Sequence, residues 1–293
     1  MAAWAAAAAC FAWYAASVAG EVTYVTLADG RRQERALPVL FKMLLPFVGN
    51  FNYVISRPLF AAQVVAADRM LVSAGFEGLL TGREFVALKL LLPIVVGPVC
   101  LLLSLWMAGL VGDAGQLVVL ATVMGTVMAY FQPVLWLRST LKRRHLSIQK
   151  ALPFVLDLLT LSVEAGMDFI SALQRNCKLR RLDPLNEELL RMTKEIQVGA
   201  SRREALKGMA DRVRQPDLKS VAYALIQADE LGVSIGSILR IQSEQLRSRR
   251  FDRAEKLAAE APVKMLGPLM LCIFPAVFII LLGPVISQAM KGM

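Results

Sequence analysis

Four uncharged, largely apolar stretches constrain this chain more than any other feature of its sequence. They cover residues 1–20, 90–112, 114–137 and 265–290. A helix that crosses the hydrocarbon layer of a membrane needs about 20 mostly apolar residues, so the sequence predicts four transmembrane helices. The alanine-rich first stretch is also compatible with a secretory signal peptide. Signal peptides open with basic residues, however, and this one opens MAAWAAAAAC, which favours a retained span.

Residues 36–56 form a fifth apolar stretch, but Lys42 and two prolines interrupt it. After Lys42, 14 uncharged residues remain before Arg57. They amount to about 21 Å of helix, which is short for a crossing. We therefore predict a helix in the membrane interface. The sequence leaves open whether this helix lies there or is buried in protein.

The ionised side chains fall almost entirely into two loops. Residues 21–89 and 138–264 hold every Lys, Arg, Asp and Glu except Asp113 and Lys291. Cations cluster beside the predicted spans, so the positive-inside rule puts both loops in the cytoplasm and both termini in the periplasm. The net charge of +10 then follows mostly from membrane topology. We expect anionic lipid, and no nucleic acid, to face these basic regions.

The sequence holds few residue types from which a reactive centre is built. His145 is the single histidine, and the four cysteines are widely separated. These residues supply neither a catalytic triad nor a zinc site. No Walker loop occurs, and the Gly232 to Gly236 segment lacks the third glycine of a dinucleotide fingerprint. We predict a protein that is not an enzyme and that binds no cofactor or metal.

Residues 138–264 repeat one helical turn pattern three times. Three glycines lie 33 residues apart, each followed two residues later by a helix N-cap residue and seven residues later by a leucine. They are Gly166, Gly199 and Gly232, with Asp168, Ser201 and Ser234, and with Leu173, Leu206 and Leu239. Glycine closes a helix in the left-handed conformation, and the cap residue starts the next helix. We predict a cytoplasmic bundle of helical hairpins. A solenoid of similar period is the alternative fold. The repeated pattern has an alternative explanation too, because any helical hairpin needs a glycine and a cap.

Two sets of charged residues are candidates for contacts with a partner. Asp229 and Glu230 precede the third glycine, where the expected roles are helix caps, partner contacts, cation ligands or solvated helix ends. A basic segment precedes the last predicted span and is expected to meet anionic lipid or an acidic partner. It contains Arg247, Arg249, Arg250 and Arg253.

A stripe of small residues marks the third predicted span. Ala121, Gly125 and Ala129 are four residues apart, a spacing that lets two membrane helices approach closely. The stripe packs either against another subunit or within its own chain. The spans carry no charged side chain, which disfavours an ion-coupled transporter, although their prolines keep a small transporter or permease component as the alternative function.

Three runs of sequence resemble a known family. They are ALPFVLDLLTLSVEAGMDFISAL (151–173), VAYALIQADELGVSIGSIL (221–239) and AEAPVKMLGPLMLCIFPAVFIILLGPVI (259–286). Together they resemble the F domain of the type II secretion family, and most of all the TadC branch found in tight-adherence (Tad) pilus machines.

The resemblance implies an all-α polytopic membrane protein with about four transmembrane helices and a cytoplasmic F domain. It also implies an inner-membrane platform that meets a hexameric secretion ATPase, pilin subunits and a sister platform protein of the TadB type, in a homo- or hetero-oligomer. Larger family members carry two F domains, so residues 21–89 are either a reduced first copy or an unrelated segment. A membrane scaffold for unrelated signalling is a further alternative.

Overall fold

The computed structural model describes residues 24–26, 32–34, 37–48, 58–111 and 115–291. Two short strands, β1 (Tyr24–Thr26) and β2 (Arg32–Glu34), pair antiparallel. All other regular elements of the described residues are helices. They are α1 (Val39–Val48), α2 (Pro58–Ala74), α3 (Gly82–Val111), α4 (Gly115–Glu164), α5 (Phe169–Leu179), α6 (Pro184–Gln197), α7 (Arg202–Val213), α8 (Pro216–Leu231) and α9 (Ile235–Lys291). The predicted all-α fold class is confirmed, with the β1–β2 hairpin as its one addition in the described part of the chain.

Three of the described helices are long and apolar enough to cross a membrane. They cover Gly82–Leu105, Val118–Glu164 and Ile235–Leu282. These helices contain most or all of the predicted spans 90–112, 114–137 and 265–290, which agrees with a polytopic membrane protein. The predicted first span, residues 1–20, lies outside the described residues.

Helices α3 and α4 pack side by side along their apolar parts. The hydroxyl groups of Ser104 and Thr122 lie 3.1 Å apart between the two helices. Thr122 and Thr126 also donate to backbone carbonyl oxygens one turn earlier in α4. Each hydroxyl therefore has a polar partner, as a group surrounded by apolar side chains requires.

Helix α4 continues from the apolar region into the helical bundle without a break. Its 50 residues span about 75 Å at the usual rise of a helix. Its second half buries an apolar stripe at three-and-four spacing against α5, α6 and α8. This stripe comprises Ile148, Leu152, Val155, Leu156 and Leu159.

The bundle core is completed by side chains from α5 to α8 and from the start of α9. The three leucines of the repeated pattern, Leu173, Leu206 and Leu239, are at most 2% exposed. Proline at the first position of α6 and α8 suits the start of a helix, where its missing N–H has no carbonyl partner to lose. The local sequence and the burial pattern therefore favour the same helices.

A second apolar core joins α1, α2 and α3 to the middle of α4. Phe41, Leu71 and Leu88 are fully buried in it. The ring of Trp136 on α4 lies 5.1 Å from that of Phe41 and 5.3 Å from that of Phe76. The predicted interfacial helix, described here as α1, thus packs on protein through Phe41, Leu44 and Val48.

The chain divides into two units, the first ending at Leu239 and the second beginning at Arg240. The first unit holds the packed helices described above. The second consists of the remainder of α9, whose apolar side chains are exposed from Leu257 to Leu282.

Candidate functional site

The three repeated glycines close their helices with the same backbone geometry. Gly166, Gly199 and Gly232 have φ angles of +89°, +109° and +66°. In each case the next residue donates its N–H to the carbonyl oxygen five residues earlier, as from Met167 to Ser162, at 3.0–3.1 Å. This is the Schellman arrangement, which satisfies a terminal carbonyl of the helix. Gly75 in the N-terminal segment has the same arrangement, with φ of +83°, and our sequence reasoning missed it.

Polar side chains start the helices that follow the glycines. The Asp168 carboxylate accepts from the N–H of Ile170 at 3.0 Å. Ser201 and Glu204 form a reciprocal capping box. Hydrogen bonds from the Ser201 hydroxyl and its backbone N–H hold the pKa of Glu204 below its usual range. Ser234 directly precedes α9.

Ion pairs bring the three turns together at one end of the bundle. Arg202 lies 3.3 Å from Asp229 and 3.8 Å from Asp168. Arg203 lies 2.6 Å from Glu230. The candidate carboxylates Asp229 and Glu230 are therefore paired with guanidinium groups. Among the described residues, no group of His, Cys, Asp or Glu side chains is arranged to hold a metal ion.

Large apolar side chains are exposed beside these ion pairs. Val198 and Leu231 are 82% and 77% exposed, and Val233 is 44% exposed. We call these three residues, together with the pairs of Arg202 and Arg203, the hairpin-turn surface. Apolar groups ringed by charged ones are typical of a surface that meets another protein.

Arg144 is the centre of a buried charge network inside the bundle. It is 5% exposed, and its two terminal nitrogens donate to Glu187 at 2.8 Å and to Glu188 at 2.9 Å. Arg212 extends the network from Glu188, at 3.5 Å, to Glu195, at 2.9 Å. By sequence Arg144 is one of the cations that follow the third predicted span, and the structure shows that its side chain is buried in the bundle. The sequence feature that indicates its burial is spacing. Arg144 lies seven residues after Leu137 and four before Ile148, so all three share one buried face of α4.

The same network reaches the N-terminal segment. Arg191 donates to both carboxylate oxygens of Glu77, one of them at 3.2 Å. The hydroxyl of Ser73 donates to the carbonyl oxygen of Arg212 at 2.8 Å. Hydrogen bonds from Arg191 lower the pKa of Glu77, and Glu77 in turn raises the pKa of Arg191. The segment 58–81 is thus attached to α6 and α7.

The small-residue stripe of α4 is divided between two environments. Gly125 faces α3, since a Cβ atom there would lie 2.6 Å from the sulfur of Cys100. Ala129 is buried, whereas Ala121 is exposed. Gly125 therefore packs against α3 of the same chain, and assembly with another subunit through this stripe stays a prediction.

The basic candidates lie in the second unit, on α9. Arg247, Arg250 and Arg253 are exposed, and Arg249 is half-buried. Their spacing of three residues places these exposed cations along one side of the helix. Glu260 and Lys264, one turn apart, form an ion pair of 3.0 Å further along α9.

A comparison with protein families identifies the region that carries these features. Residues 155–283 match the family model described as Type II secretion system (T2SS), protein F. No curated protein and no solved structure matches the chain. The match and the three candidate spans together indicate a protein of the inner membrane. The region 155–283, which holds the hairpin turns, is thus similar to protein F of type II secretion systems.

Proposed function

We propose that this chain is the inner-membrane platform of a Tad or related type IV pilus machine, where it couples a cytoplasmic secretion ATPase to pilin extraction and pilus assembly. The observation that carries this proposal is the continuity of α4. One helix runs from residues apolar enough to cross a membrane into the core of the F domain. A displacement of the bundle is thereby transmitted to the α3–α4 pair.

The buried charges support a rigid connection. Arg144 fixes α4 to α6 through two ion pairs, and Glu77 and Ser73 fix the N-terminal segment to α6 and α7. Ionic contacts in a protein interior have strict geometry, so they resist sliding of one helix along another. Force applied to the bundle then moves the helices together.

Two surfaces are proposed to receive partners. The hairpin-turn surface, with its exposed Val198 and Leu231, is proposed to contact the hexameric ATPase. The basic segment of α9, from Arg247 to Arg253, is proposed to contact an acidic face of the motor or anionic lipid. Both loops lie in the cytoplasm and both termini in the periplasm under this proposal, as the distribution of charge predicts.

The proposal includes further subunits. A sister platform protein of the TadB type is expected beside this chain, and pilin subunits are expected against the membrane helices. Residues 21–89 then contribute a reduced first copy of the F domain, or an unrelated segment attached to it. The described spans 90–105 and 118–137 contain no charged side chain, which does not favour the transporter alternative.

Copurification from membranes tests the proposal. The tagged chain, cross-linked in the cells that carry its machine, is expected to recover the secretion ATPase and the sister platform protein. Recovery of neither, from membranes in which both are present, would contradict the platform function.

A charge reversal tests the contribution of the basic segment. Arg249→Glu with Arg250→Glu is expected to abolish piliation and to reduce recovery of the ATPase, while the chain still inserts. The matched control is Lys178→Glu with Arg181→Glu, which reverses two exposed cations of the bundle and is expected to leave both unchanged. Normal piliation in the first variant would exclude the basic segment as a required contact.

A further inference from the structure

An open groove lies between α4 and the turn that joins α7 to α8. It has a volume of about 300 Å³. Its lining comprises Arg138, Leu141, Lys142, His145, Leu146 and Gln149 of α4, with Gln215 and Pro216 of the turn. That volume is at the lower end of the range for small-molecule sites, roughly 300–1,000 Å³. We call it the boundary groove.

The boundary groove lies at the end of an apolar run. Arg138 is the first charged residue after the uncharged residues 114–137. Two turns earlier on the same helix, the ring of Tyr130 lies 4.4 Å from the ammonium group of Lys89 on α3. Tyrosine and lysine are typical of the level at which a membrane helix meets the headgroups. The Arg138 end of the boundary groove is thus the end nearest to the headgroup layer, about 12 Å along α4 from Tyr130.

The spacing of the lining residues directs two cations to one place. Arg138 and Lys142 are four residues apart, so they lie one above the other on the same face of α4. Both are exposed. Among the described residues that line the groove, none carries a carboxylate. Asp217 lies behind it, and its Oδ2 atom accepts from the Gln149 amide at 2.6 Å and from the Gln215 amide at 3.2 Å.

His145 of α4 holds in place the wall of the groove that the turn between α7 and α8 forms. Its Nε2 atom donates to the carbonyl oxygen of Val213 at 2.8 Å, which ties α4 to the start of the turn. Gln215 is buried. Leu146, at the rim, is 44% exposed. The groove therefore combines a fixed polar wall, two cations and an exposed apolar side chain.

We propose that the boundary groove binds the phosphate group of an anionic membrane lipid at its Arg138 end, with Arg138 and Lys142 as the phosphate contacts and Leu135, which is 58% exposed about one turn before Arg138, beside the acyl chains. Exposed guanidinium and ammonium groups suit a phosphate diester of net negative charge. Free phosphate offers the same chemistry, but it lacks the acyl chains that would lie against Leu135 and the uncharged residues before it. The inference does not depend on the pilus function, because it requires only that α4 crosses the membrane.

Native mass spectrometry of the full-length chain, released from mixed micelles, tests the proposal. The probe is phosphatidylglycerol, titrated against phosphatidylcholine. The unchanged chain is expected to retain phosphatidylglycerol in preference. Arg138→Gln with Lys142→Gln is expected to weaken that binding roughly 30-fold, because each cation near the surface contributes about 1 kcal/mol.

The matched control is Arg143→Gln with Lys150→Gln, which removes two exposed cations of α4 that do not line the groove. This control is expected to retain the lipid, and both variants are expected to melt like the unchanged chain. Equal losses in the two variants would overturn the proposal, since they would show attraction to charge in general. Equal retention of phosphatidylcholine would overturn it as well. A third arm offers inorganic phosphate in phosphatidylcholine micelles, and saturable binding there without retention of phosphatidylglycerol would assign the groove to free phosphate instead.

Discussion

Arg144 on α4 and Glu187 on α6 form a buried ion pair of 2.8 Å that joins the helix coming from the apolar region to the helical bundle. Glu188, the next residue, lies 2.9 Å from the other terminal nitrogen of Arg144. One guanidinium thus faces two adjacent carboxylates. Removing one member of a buried ionic group leaves the others without compensation, which costs more than the group contributes when it is complete.

Arg144→Leu is therefore expected to destabilise the chain by about 3–5 kcal/mol. Pulse proteolysis of the full-length protein in nanodiscs measures this change. Arg143→Leu is the control, because it removes the neighbouring exposed arginine, and we expect an effect within about 0.5 kcal/mol. Equal stability of the two variants would show that the buried network does not hold α4 to α6.

Substitution of Gly199 tests the left-handed turn. Its φ of +109° strains any residue with a Cβ atom, although the surrounding space is open. Gly199→Ala is expected to cost of order 1–2 kcal/mol. At Gly236, where a Cβ atom makes ordinary contacts of 3.6–3.7 Å, alanine is expected to be neutral or to stabilise by up to about 1 kcal/mol. Thermal melting compares the two, and a change of the same sign at both positions would contradict the conformational explanation.

The Glu77–Arg191 contact is expected to depend on pH. The hydrogen bond from Arg191 lowers the pKa of Glu77 below its ordinary value of 4.5. Its contribution to stability is therefore complete above about pH 4.5 and is lost as the pH falls through the folded-state pKa. Both side chains are more than a third exposed, so we expect an effect within about 1 kcal/mol.

Melting curves of Glu77→Gln, Arg191→Gln and the double variant measure this dependence. Each single variant is expected to show a flatter acid limb than the unchanged chain, and the double variant is expected to add little to either. Additive effects of the two substitutions would indicate that the side chains act independently.

Substitutions at Gly125 and Ala121 distinguish packing within the chain from assembly between chains. Gly125→Leu is expected to disrupt the α3–α4 pair, because its side chain would occupy the position of the Cys100 sulfur. Ala121→Leu, one turn away on an exposed position, is expected to leave melting unchanged. Size-exclusion chromatography in detergent accompanies the melting curves. A normal melting curve for Gly125→Leu would contradict the close approach of the two helices.

Features that depend on a few neighbouring residues could be predicted from the sequence. The 33-residue spacing marks glycines that do have left-handed backbones, and each leucine seven residues later is buried. Helix ends are determined by a few neighbouring residues, so the pattern carries the information. Runs of uncharged residues likewise identified the three described helices that are able to span a membrane.

Features that depend on contacts between distant parts of the chain could not be predicted from the sequence. Arg144 belongs by composition to a basic cluster, and only the positions of Glu187 and Glu188, more than 40 residues later, explain its burial. The pairing of Arg202 with Asp229 similarly needs the bundle to bring two turns together. Gly125 faces Cys100 because α3 and α4 pair, and spacing within α4 alone does not distinguish that contact from a contact with another subunit.

The sidedness of the two charged loops tests the central claim most directly. Gln63→Cys and Lys207→Cys place thiols at exposed positions of α2 and α7, and Asp113→Cys places one between the second and third predicted spans. A thiol reagent that does not cross membranes is applied to bacterial spheroplasts, with the unchanged chain giving the background from its own cysteines. We predict labelling of Asp113→Cys alone until the spheroplasts are lysed, when the other two react. Labelling of Gln63→Cys or Lys207→Cys in sealed spheroplasts would put that loop in the periplasm, away from any cytoplasmic motor, and would contradict the account.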